Sequence, residues 1–400
     1  HQVELLLGDG QGNLGGAASG FTLALTGAAP ALAVADFDRD RSDDLAVVDD
    51  GANRLTLFFG GAEPLQRSLA FDPFDDRAAS LAAGDLTGDG LADLALFFPW
   101  GAGGSAYAQL WPGTGDPAAP FDPPQQLAVP GALEAVQTGD FDSDGRLDLL
   151  FLPRYTAGSY LLLLNAPDQT GGDWPGWRRA SLPVAPLAGQ LALGDSNGDS
   201  FEDLAALIKG GGAGQAYNLM LLPGIAGGWI EPTRLSATAN VWAVAAADFD
   251  GDGRADLAVA RSPSAPDQAW PHPPNSDAVE LYLARGNGYQ RSASQPTGLW
   301  PLAVLAADFD GDGATDLGSA DYGSSQASLF RGDGRGGLQP AATLAAGLNP
   351  AGLASGDLNR DGRLDLLVAN AASGEVNVFL GSGSSAFPAT RGQDIAVGSN

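Results

Sequence analysis

An aspartate-rich segment of nine residues recurs seven times along the chain and limits its fold more than any other feature. The first copy covers residues 36–44, and the seven copies begin with an aspartate at positions 36, 85, 140, 195, 248, 308 and 357. Successive copies are therefore spaced by 49 to 60 residues. This period suits a four-stranded propeller blade and is too long for a leucine-rich or ankyrin unit.

Strand signals occupy fixed places around each acidic segment. In the first repeat, small and apolar residues 32–35 precede the segment, residues 45–48 follow it, and an apolar run at 54–59 leads into a glycine-rich turn. Alanine and glycine dominate the strand before each segment, which fits an innermost strand beside a narrow central channel. We therefore predict an all-β, seven-bladed propeller in which each four-stranded blade carries the acidic loop between its first and second strands.

The repeat also predicts where the blades begin and end. The predicted blades cover approximately residues 28–77, 78–131, 132–187, 188–240, 241–299, 300–349 and 350–400. Residues 1–27 resemble the third and fourth strands of a further unit whose first half is missing. This N-terminal hairpin could close the ring, cap an edge, begin an eighth blade or pair with a neighbouring molecule, and the sequence does not decide among these roles.

The acidic loops have the composition of a calcium site. Side chains at loop positions 1, 3, 5 and 9, with a backbone carbonyl at position 7, offer a hard cation five or more oxygen ligands from one turn. We predict up to seven Ca²⁺ ions. The predicted ligands are Asp36, Asp38, Asp40, Ser42, Asp44, Asp85, Thr87, Asp89, Leu91, Asp93, Asp140, Asp142, Asp144, Arg146, Asp148, Asp195, Asn197, Asp199, Phe201, Asp203, Asp248, Asp250, Asp252, Arg254, Asp256, Asp308, Asp310, Asp312, Ala314, Asp316, Asp357, Asn359, Asp361, Arg363 and Asp365.

Position 6 of each loop predicts how the backbone turns around the ion. Five copies have glycine there, which favours a left-handed conformation, whereas the first and fourth copies have Arg41 and Ser200. A left-handed residue with a Cβ costs about 1–2 kcal/mol, so we expect these two sites to be the weakest. An EF-hand is rejected because it needs a glutamate at position 12 and flanking helices, whereas the first copy has Val47 there and flanking strands.

Charge and composition exclude several classes of function. With 20 basic and 48 acidic residues, the net charge is −28, which repels nucleic acids and anionic lipid headgroups. The absence of cysteine excludes disulfides, zinc–thiolate sites and thiol catalysis. No apolar run is long enough for a transmembrane helix, so we expect no membrane insertion. We expect any signal peptide to have been removed.

A second group of residues is predicted to lie on the rim opposite the acidic loops, where loops vary most in length. Aromatic rings and an arginine on a rigid rim suit stacking against a sugar or against apolar side chains of a partner. Packing between blades is the competing interpretation of the same tryptophans. The candidate ligand-binding residues are Trp100, Arg154, Tyr155, Trp242, Trp270, His272 and Trp300.

These motifs resemble a known repeat family. The Asp-Phe-Asp-Gly-Asp-Gly-x-x-Asp-Leu loop at 248–257 and the Gly-x-Gly-x-Gly turn at 332–336 are similar to the FG-GAP and VCBS repeats of integrin α-subunit propellers and bacterial surface proteins. The resemblance implies calcium loops on one face and ligand recognition on the opposite one. It implies no single function, because such propellers include adhesion receptors, lectins and lyase domains.

The sequence therefore favours a non-enzymatic calcium-binding module that binds a protein or a glycan, either in adhesion or as a subunit of a surface assembly. We expect it outside the cell or on its surface, with the periplasm as an alternative compartment. Self-association through residues 1–27 is a further expectation. The alternative from another class is a lyase-like, polysaccharide-active enzyme that uses Arg154, Tyr155 and His272 on the tryptophan-rich rim. A purely structural subunit whose N-terminal hairpin links neighbouring molecules is a third interpretation.

Overall fold

The computed structural model describes residues 2–5, 21–24, 31–49, 54–60, 80–99, 106–129, 133–142, 144–153, 161–167, 176–180, 187–209, 217–225, 228–229, 233–235, 240–263, 276–286, 288–358, 361–381, 387–388 and 390–396. The described residues form strands and turns, and they contain no helix that could cross a membrane. Near the N-terminus, strands β1 (Gln2–Leu5) and β2 (Phe21–Ala24) pair in a two-stranded sheet. The role of residues 1–27 stays a prediction.

Three sheets follow along the chain, and we number them as blades 1 to 3. In blade 1 the described strands are β3 (Ala31–Ala35), β4 (Asp44–Asp49) and β5 (Arg54–Phe58). Blade 2 consists of β6 (Ser80–Gly84), β7 (Asp93–Phe98), β8 (Tyr107–Trp111) and β9 (Gln125–Ala128). Blade 3 consists of β10 (Leu133–Gly139), β11 (Asp148–Pro153), β12 (Leu161–Asn165) and β13 (Trp177–Ala180).

Blades 4 to 7 repeat the same order of strands. Blade 4 has β14 (Leu187–Gly194), β15 (Asp203–Lys209), β16 (Tyr217–Leu222) and β19 (Thr233–Arg234), with a small hairpin of β17 (Gly224–Ile225) and β18 (Gly228–Trp229) between the last two. Blade 5 has β20 (Asn240–Ala247), β21 (Asp256–Ser262), β22 (Ala278–Arg285) and β23 (Gly288–Pro296). Blade 6 has β24 (Pro301–Ala307), β25 (Asp316–Asp321), β26 (Gln326–Gly332) and β27 (Leu338–Ala345). Blade 7 has β28 (Pro350–Gly356), β29 (Asp365–Asn370), β30 (Glu375–Leu380) and β31 (Thr390–Ala396).

The predicted fold class is confirmed: the chain is all-β, and its seven successive sheets are the blades of a β-propeller. Within each blade, the described neighbouring strands pair antiparallel, and every acidic segment joins the first strand to the second. The chain divides into two compact units, one with blades 1 to 3 and the hairpin of β17 and β18, and the other with the four-stranded sheets of blades 4 to 7.

The hydrophobic core consists of separate clusters between consecutive blades. The residue at loop position 2 belongs to these clusters in loops 1, 2, 5 and 6, although it lies in an acidic turn. Phe249, which is 1% exposed, packs with Phe330 and Leu338 of blade 6, and Phe37 packs in the same way against blade 2. In these four loops the apolar residue at position 2 therefore anchors its loop to the next blade, a role that we did not predict from the sequence.

Backbone groups of the acidic loops also join consecutive blades. The N–H of Ala255 donates to the carbonyl of Asp195 at 2.7 Å, and the hydroxyl of Thr315 donates to the carbonyl of Asp248 at 2.7 Å. Both donors are at loop position 8 and both acceptors at loop position 1 of the preceding blade. The shape of one acidic loop therefore fixes an attachment point for the next blade.

Close packing beside this hydrogen bond generates a test. A Cβ added at Gly194 would lie 2.5 Å from the Cβ of Ala255. We expect Gly194→Ala to destabilise the protein by about 1–3 kcal/mol in denaturant unfolding, because blades 4 and 5 would have to separate. Adding Ala255→Gly should restore part of the loss. A Gly194→Ala variant as stable as the wild type would contradict this packing.

Candidate metal centres

The ninth residue of every acidic loop is a buried aspartate that is also the first residue of the second strand. These seven side chains belong to residues that are 0–2% exposed: Asp44, Asp93, Asp148, Asp203, Asp256, Asp316 and Asp365. An isolated carboxylate is costly to bury, so each of these groups needs hydrogen-bond donors. The structure supplies them from the backbone.

Each ninth aspartate ties the loop to the body of its blade. Its Oδ2 atom accepts the N–H of loop position 2 at 2.7–3.0 Å in all seven loops. In six loops its Oδ1 atom also accepts a backbone N–H at or just after the end of the third strand, at 2.7–2.8 Å. In the fourth loop the Asn197 amide nitrogen lies 3.5 Å from Oδ1 of Asp203. We call this arrangement the aspartate clasp.

The first and fifth aspartates shape the turn itself. Oδ2 of the first aspartate accepts the N–H of position 6 at 2.8–3.0 Å, and Oδ1 of the fifth aspartate accepts the N–H of position 7 at 2.7–3.0 Å. Both sets are present in all seven loops. Position 7 is the position predicted to contribute a backbone carbonyl to the metal. In every loop the N–H of this residue is thus held by the aspartate carboxylate at position 5.

The predicted left-handed conformation at position 6 is confirmed in every loop, including the two that lack glycine. Arg41 has a φ of 71° and Ser200 a φ of 72°, compared with 81–89° for the five glycines. Position 4 is left-handed as well, with Arg39 at 64° and four glycines at 74–78°. The glycines at position 4 in loops 2, 4, 5 and 6 are the sequence signal for this second turn.

Carboxylates come together in four of the loops. Oxygen atoms within 4.8 Å of one another are offered by Asp36, Asp38 and Asp40 in loop 1, by Asp140, Asp142 and Asp148 in loop 3, by Asp248, Asp250 and Asp256 in loop 5, and by Asp308, Asp310 and Asp316 in loop 6. These are the loops with an aspartate at position 3. In loops 2 and 4 the polar residues Thr87 and Asn197 hold that position instead, and Asn359 of loop 7 lies outside the described residues.

One buried oxygen atom without a hydrogen-bond donor, which we call the orphaned oxygen, is evidence that these clusters bind a metal. The Oδ1 atom of Asp142 is buried and has no hydrogen-bond partner among the described residues, and the side chain as a whole is 9% exposed. A buried carboxylate oxygen without a donor is expensive unless a cation is bound. The donor set, which consists only of oxygen atoms, fits a hard divalent cation.

Burial raises the pKa of five clasp aspartates, which are Asp44, Asp93, Asp148, Asp256 and Asp316. Desolvation raises the pKa of Asp148 and Asp316 to about 7 and that of Asp256 to about 6, although backbone hydrogen bonds oppose the rise. Desolvation raises the pKa of Asp142 and Asp310 as well, and the neighbouring carboxylates add to the rise. Without a metal, each cluster therefore holds its negative charges at a cost.

Of the seven ligand-binding residues that were predicted on the opposite rim, two lie in the part of the chain that the structure describes. Trp242 lies in β20 where the pairing register shifts, and Trp300 immediately precedes β24; both are partly buried. Trp100, Arg154, Tyr155, Trp270 and His272 lie outside the described residues. The predicted tryptophan-rich rim is thus described only at blades 5 and 6.

Blades 6 and 7 share a second repeated element on this rim. The loop before β24 is held by the N–H of Leu299, which donates to Ser324 Oγ at 2.7 Å, and the loop before β28 is held by the N–H of Leu348, which donates to Ser373 Oγ at 3.1 Å. Both leucine carbonyls accept an N–H from the turn that carries the serine. The sequence signal for this element is the shared pattern Gly-Leu-x-Pro at 298–301 and 347–350.

Comparison with known protein families identifies the same repeat in this chain. The profile of the FG-GAP-like repeat matches residues 308–368, and that of the FG-GAP repeat matches residues 78–109 and 240–268. The chain contains FG-GAP repeats and folds as a β-propeller. The matched segments include the acidic loops of blades 2, 5, 6 and 7, and this agrees with the resemblance that the sequence indicated.

Solved structures show the same fold at low sequence identity. BBS1N in complex with ARL6DN, in a crystal soaked with mercury, is 13% identical with a TM-score of 0.50; the match covers 86% of this chain and 90% of that one. The lead-soaked crystal of the same complex is 14% identical with a TM-score of 0.50, and the match covers 87% and 91%. The search of curated proteins found no match to the chain.

The two loops without glycine at position 6 generate a test of backbone strain. We expect Ser200→Gly to stabilise the protein by about 1 kcal/mol, because it removes the cost of a left-handed residue with a Cβ. Gly253→Ala should destabilise by a similar amount, since a Cβ there meets no atom within 4 Å and only the conformation is strained. Equal stability of both variants and wild type in denaturant unfolding would contradict this account.

The raised pKa values predict how stability depends on pH. Asp148, Asp256 and Asp316 bind protons more tightly in the folded than in the unfolded chain, so the metal-free protein should lose stability as the pH rises from about 4 to about 7. Thermal unfolding in chelator should therefore give a higher Tm at pH 5 than at pH 8. Saturating calcium should remove the loss at pH 8. A metal-free Tm that rises over this range would be the contrary result.

Proposed function

We propose that the protein is a calcium-stabilised module that binds a partner protein through the rim opposite its acidic loops. The aspartate clusters and the orphaned Asp142 oxygen support the metal, and the fixed loops of blades 6 and 7 support the binding surface. The single observation that carries the recognition role is the rigid presentation of Trp300 and Leu348 on two loops with the same hydrogen bonds.

Calcium is the metal that best matches the donors. Carboxylates at positions 1, 3, 5 and 9 and a carbonyl at position 7 would hold each ion, and the bound cation would neutralise part of the cluster's charge. Calcium accepts six to eight oxygen ligands in flexible geometry, whereas Mg²⁺ demands a near-ideal octahedron. The same proposal puts the protein outside the cell or on its surface, where modules with calcium dissociation constants of about 0.1–1 mM are loaded.

The rim has the properties of a protein-binding surface. Leu348 is an apolar side chain that is 59% exposed, and Trp300 is fixed at a φ of 52° beside Gly323, where an added Cβ would lie 2.6 Å from the indole ring. Rigid aromatic and apolar anchors lose little entropy on binding and commonly dominate interface energy. BBS1N, which shares the fold, is in complex with the protein ARL6DN. The net charge of −28 favours a partner with basic residues around an apolar centre.

Metal binding is tested by thermal unfolding. Calcium at a hundred times its dissociation constant should stabilise the folded protein by about 2.7 kcal/mol for each independent site, so Tm should rise with calcium and fall in excess chelator. Magnesium at the same ionic strength controls for screening of the acidic surface and should produce a smaller shift. Equal Tm values in calcium and in chelator would overturn the calcium proposal.

The rim is tested by matched substitutions. Partners captured from an extracellular protein fraction by the calcium-loaded wild type are identified, and a glycan array is probed in parallel. We expect Leu348→Ala and Trp300→Ala to weaken binding of the captured protein at least about tenfold, as for hot-spot residues. Leu32→Ala, at a leucine that is 50% exposed in β3, should change it less than about twofold.

Two outcomes would overturn the rim proposal. The first is equal affinity for all three variants, which would place the binding surface elsewhere. The second is binding to glycans on the array without any protein partner, which would replace protein recognition by sugar recognition.

A further inference from the structure

Three of the four loops with an aspartate at position 3 have an arginine on that carboxylate. Arg178 lies 3.2 Å from Asp142, Arg285 lies 2.5 Å from Asp250, and Arg331 lies 2.6 Å from Asp310, all measured between guanidinium nitrogen and carboxylate oxygen. The three carboxylate side chains are 0–9% exposed, whereas the arginine side chains are 38–45% exposed. Each pair therefore joins a buried anion to a cation that reaches in from the surface.

The arginines reach the same loop position from different places in the blade. Arg178 belongs to the outer strand β13, Arg285 is the last residue of β22, and Arg331 is the second-last residue of β26. They are not copies of one repeat position, so the repeat itself does not explain them. What they share is the extra carboxylate that they contact.

Loops 2, 4 and 7 have no such carboxylate, because position 3 is Thr87, Asn197 or Asn359. Thr87 donates its N–H to the clasp carboxylate of Asp93 at 2.7 Å. These loops have three ligand-position aspartates, whereas loops 3, 5 and 6 have four, and the additional carboxylate at position 3 is the one that an arginine contacts. The arginine and the fourth carboxylate therefore occur together in loops 3, 5 and 6.

We propose that Arg178, Arg285 and Arg331 are built-in counter-cations that hold loops 3, 5 and 6 together without metal and lower the affinity of these loops for calcium. This inference rests on the proposed binding of calcium. The guanidinium group engages one oxygen of the position-3 carboxylate and repels a divalent cation bound at the other. The arginines thereby set metal affinity without being ligands.

Arg285→Gln tests the inference at loop 5. Hydrogen exchange of the peptide that covers residues 248–256 is measured by mass spectrometry over a calcium series. We expect faster exchange than wild type without calcium, and half-protection at a calcium concentration about two- to tenfold lower, the range of a partly exposed ion pair. The peptides of loops 2 and 4 in the same digest should be unchanged.

A matched control is available in the same blade. Arg291 is 57% exposed and pairs at 2.8 Å with Glu280, a buried residue outside the acidic loops. Arg291→Gln makes the same change of charge and should leave the calcium midpoint of loop 5 where it is in wild type. A second variant, Arg331→Gln, is read at residues 308–316 and should behave as Arg285→Gln does at loop 5.

The outcomes separate this inference from the proposed function. If exchange of wild-type loops 5 and 6 does not respond to calcium, metal binding at these loops is wrong. If wild-type exchange responds but the midpoint is unchanged or higher in both arginine variants, the counter-cation role alone is overturned. An equal shift in Arg291→Gln would also overturn it, because net charge rather than the specific pair would then be responsible.

Discussion

The buried aspartate at loop position 9 is the interaction on which the rest of each blade depends. It begins the second strand, its Oδ2 atom holds the backbone of the loop, and in six blades its Oδ1 atom holds the backbone at or just after the end of the third strand. One side chain thus joins three segments of the blade. Because a buried charge without donors is costly, these hydrogen bonds fix the loop in one shape.

The loop shape in turn determines how blades join and what the acidic face can bind. Phe249 and the carbonyl of Asp248 both project from the loop of blade 5 and both contact blade 6. The same turn gathers carboxylates into clusters that suit a divalent cation, with burial raising the pKa of members such as Asp316. One turn therefore both supports the blade and gathers the carboxylates that could hold a metal ion.

The repeat made the fold predictable, because seven acidic segments at a propeller period agree with only one arrangement of short strands. It also predicted the left-handed backbone at Arg41 and Ser200. Contacts between repeats were not predictable from the period alone: Phe249 lies within an acidic loop and is buried against the next blade. The pairing of Arg285 with Asp250 joins residues 35 positions apart, which no local pattern indicates.

Comparing two aspartates of one loop tests the clasp most directly. In chelator at pH 8, Asp316→Asn should destabilise the protein by about 1–3 kcal/mol, because the amide accepts one N–H and leaves the other unsatisfied. Asp312→Asn keeps an oxygen for the N–H of Ala314 and should stay within about 0.5 kcal/mol of wild type. Equal metal-free stability of the two variants in denaturant unfolding would contradict the clasp and leave the ninth aspartate as a metal ligand only.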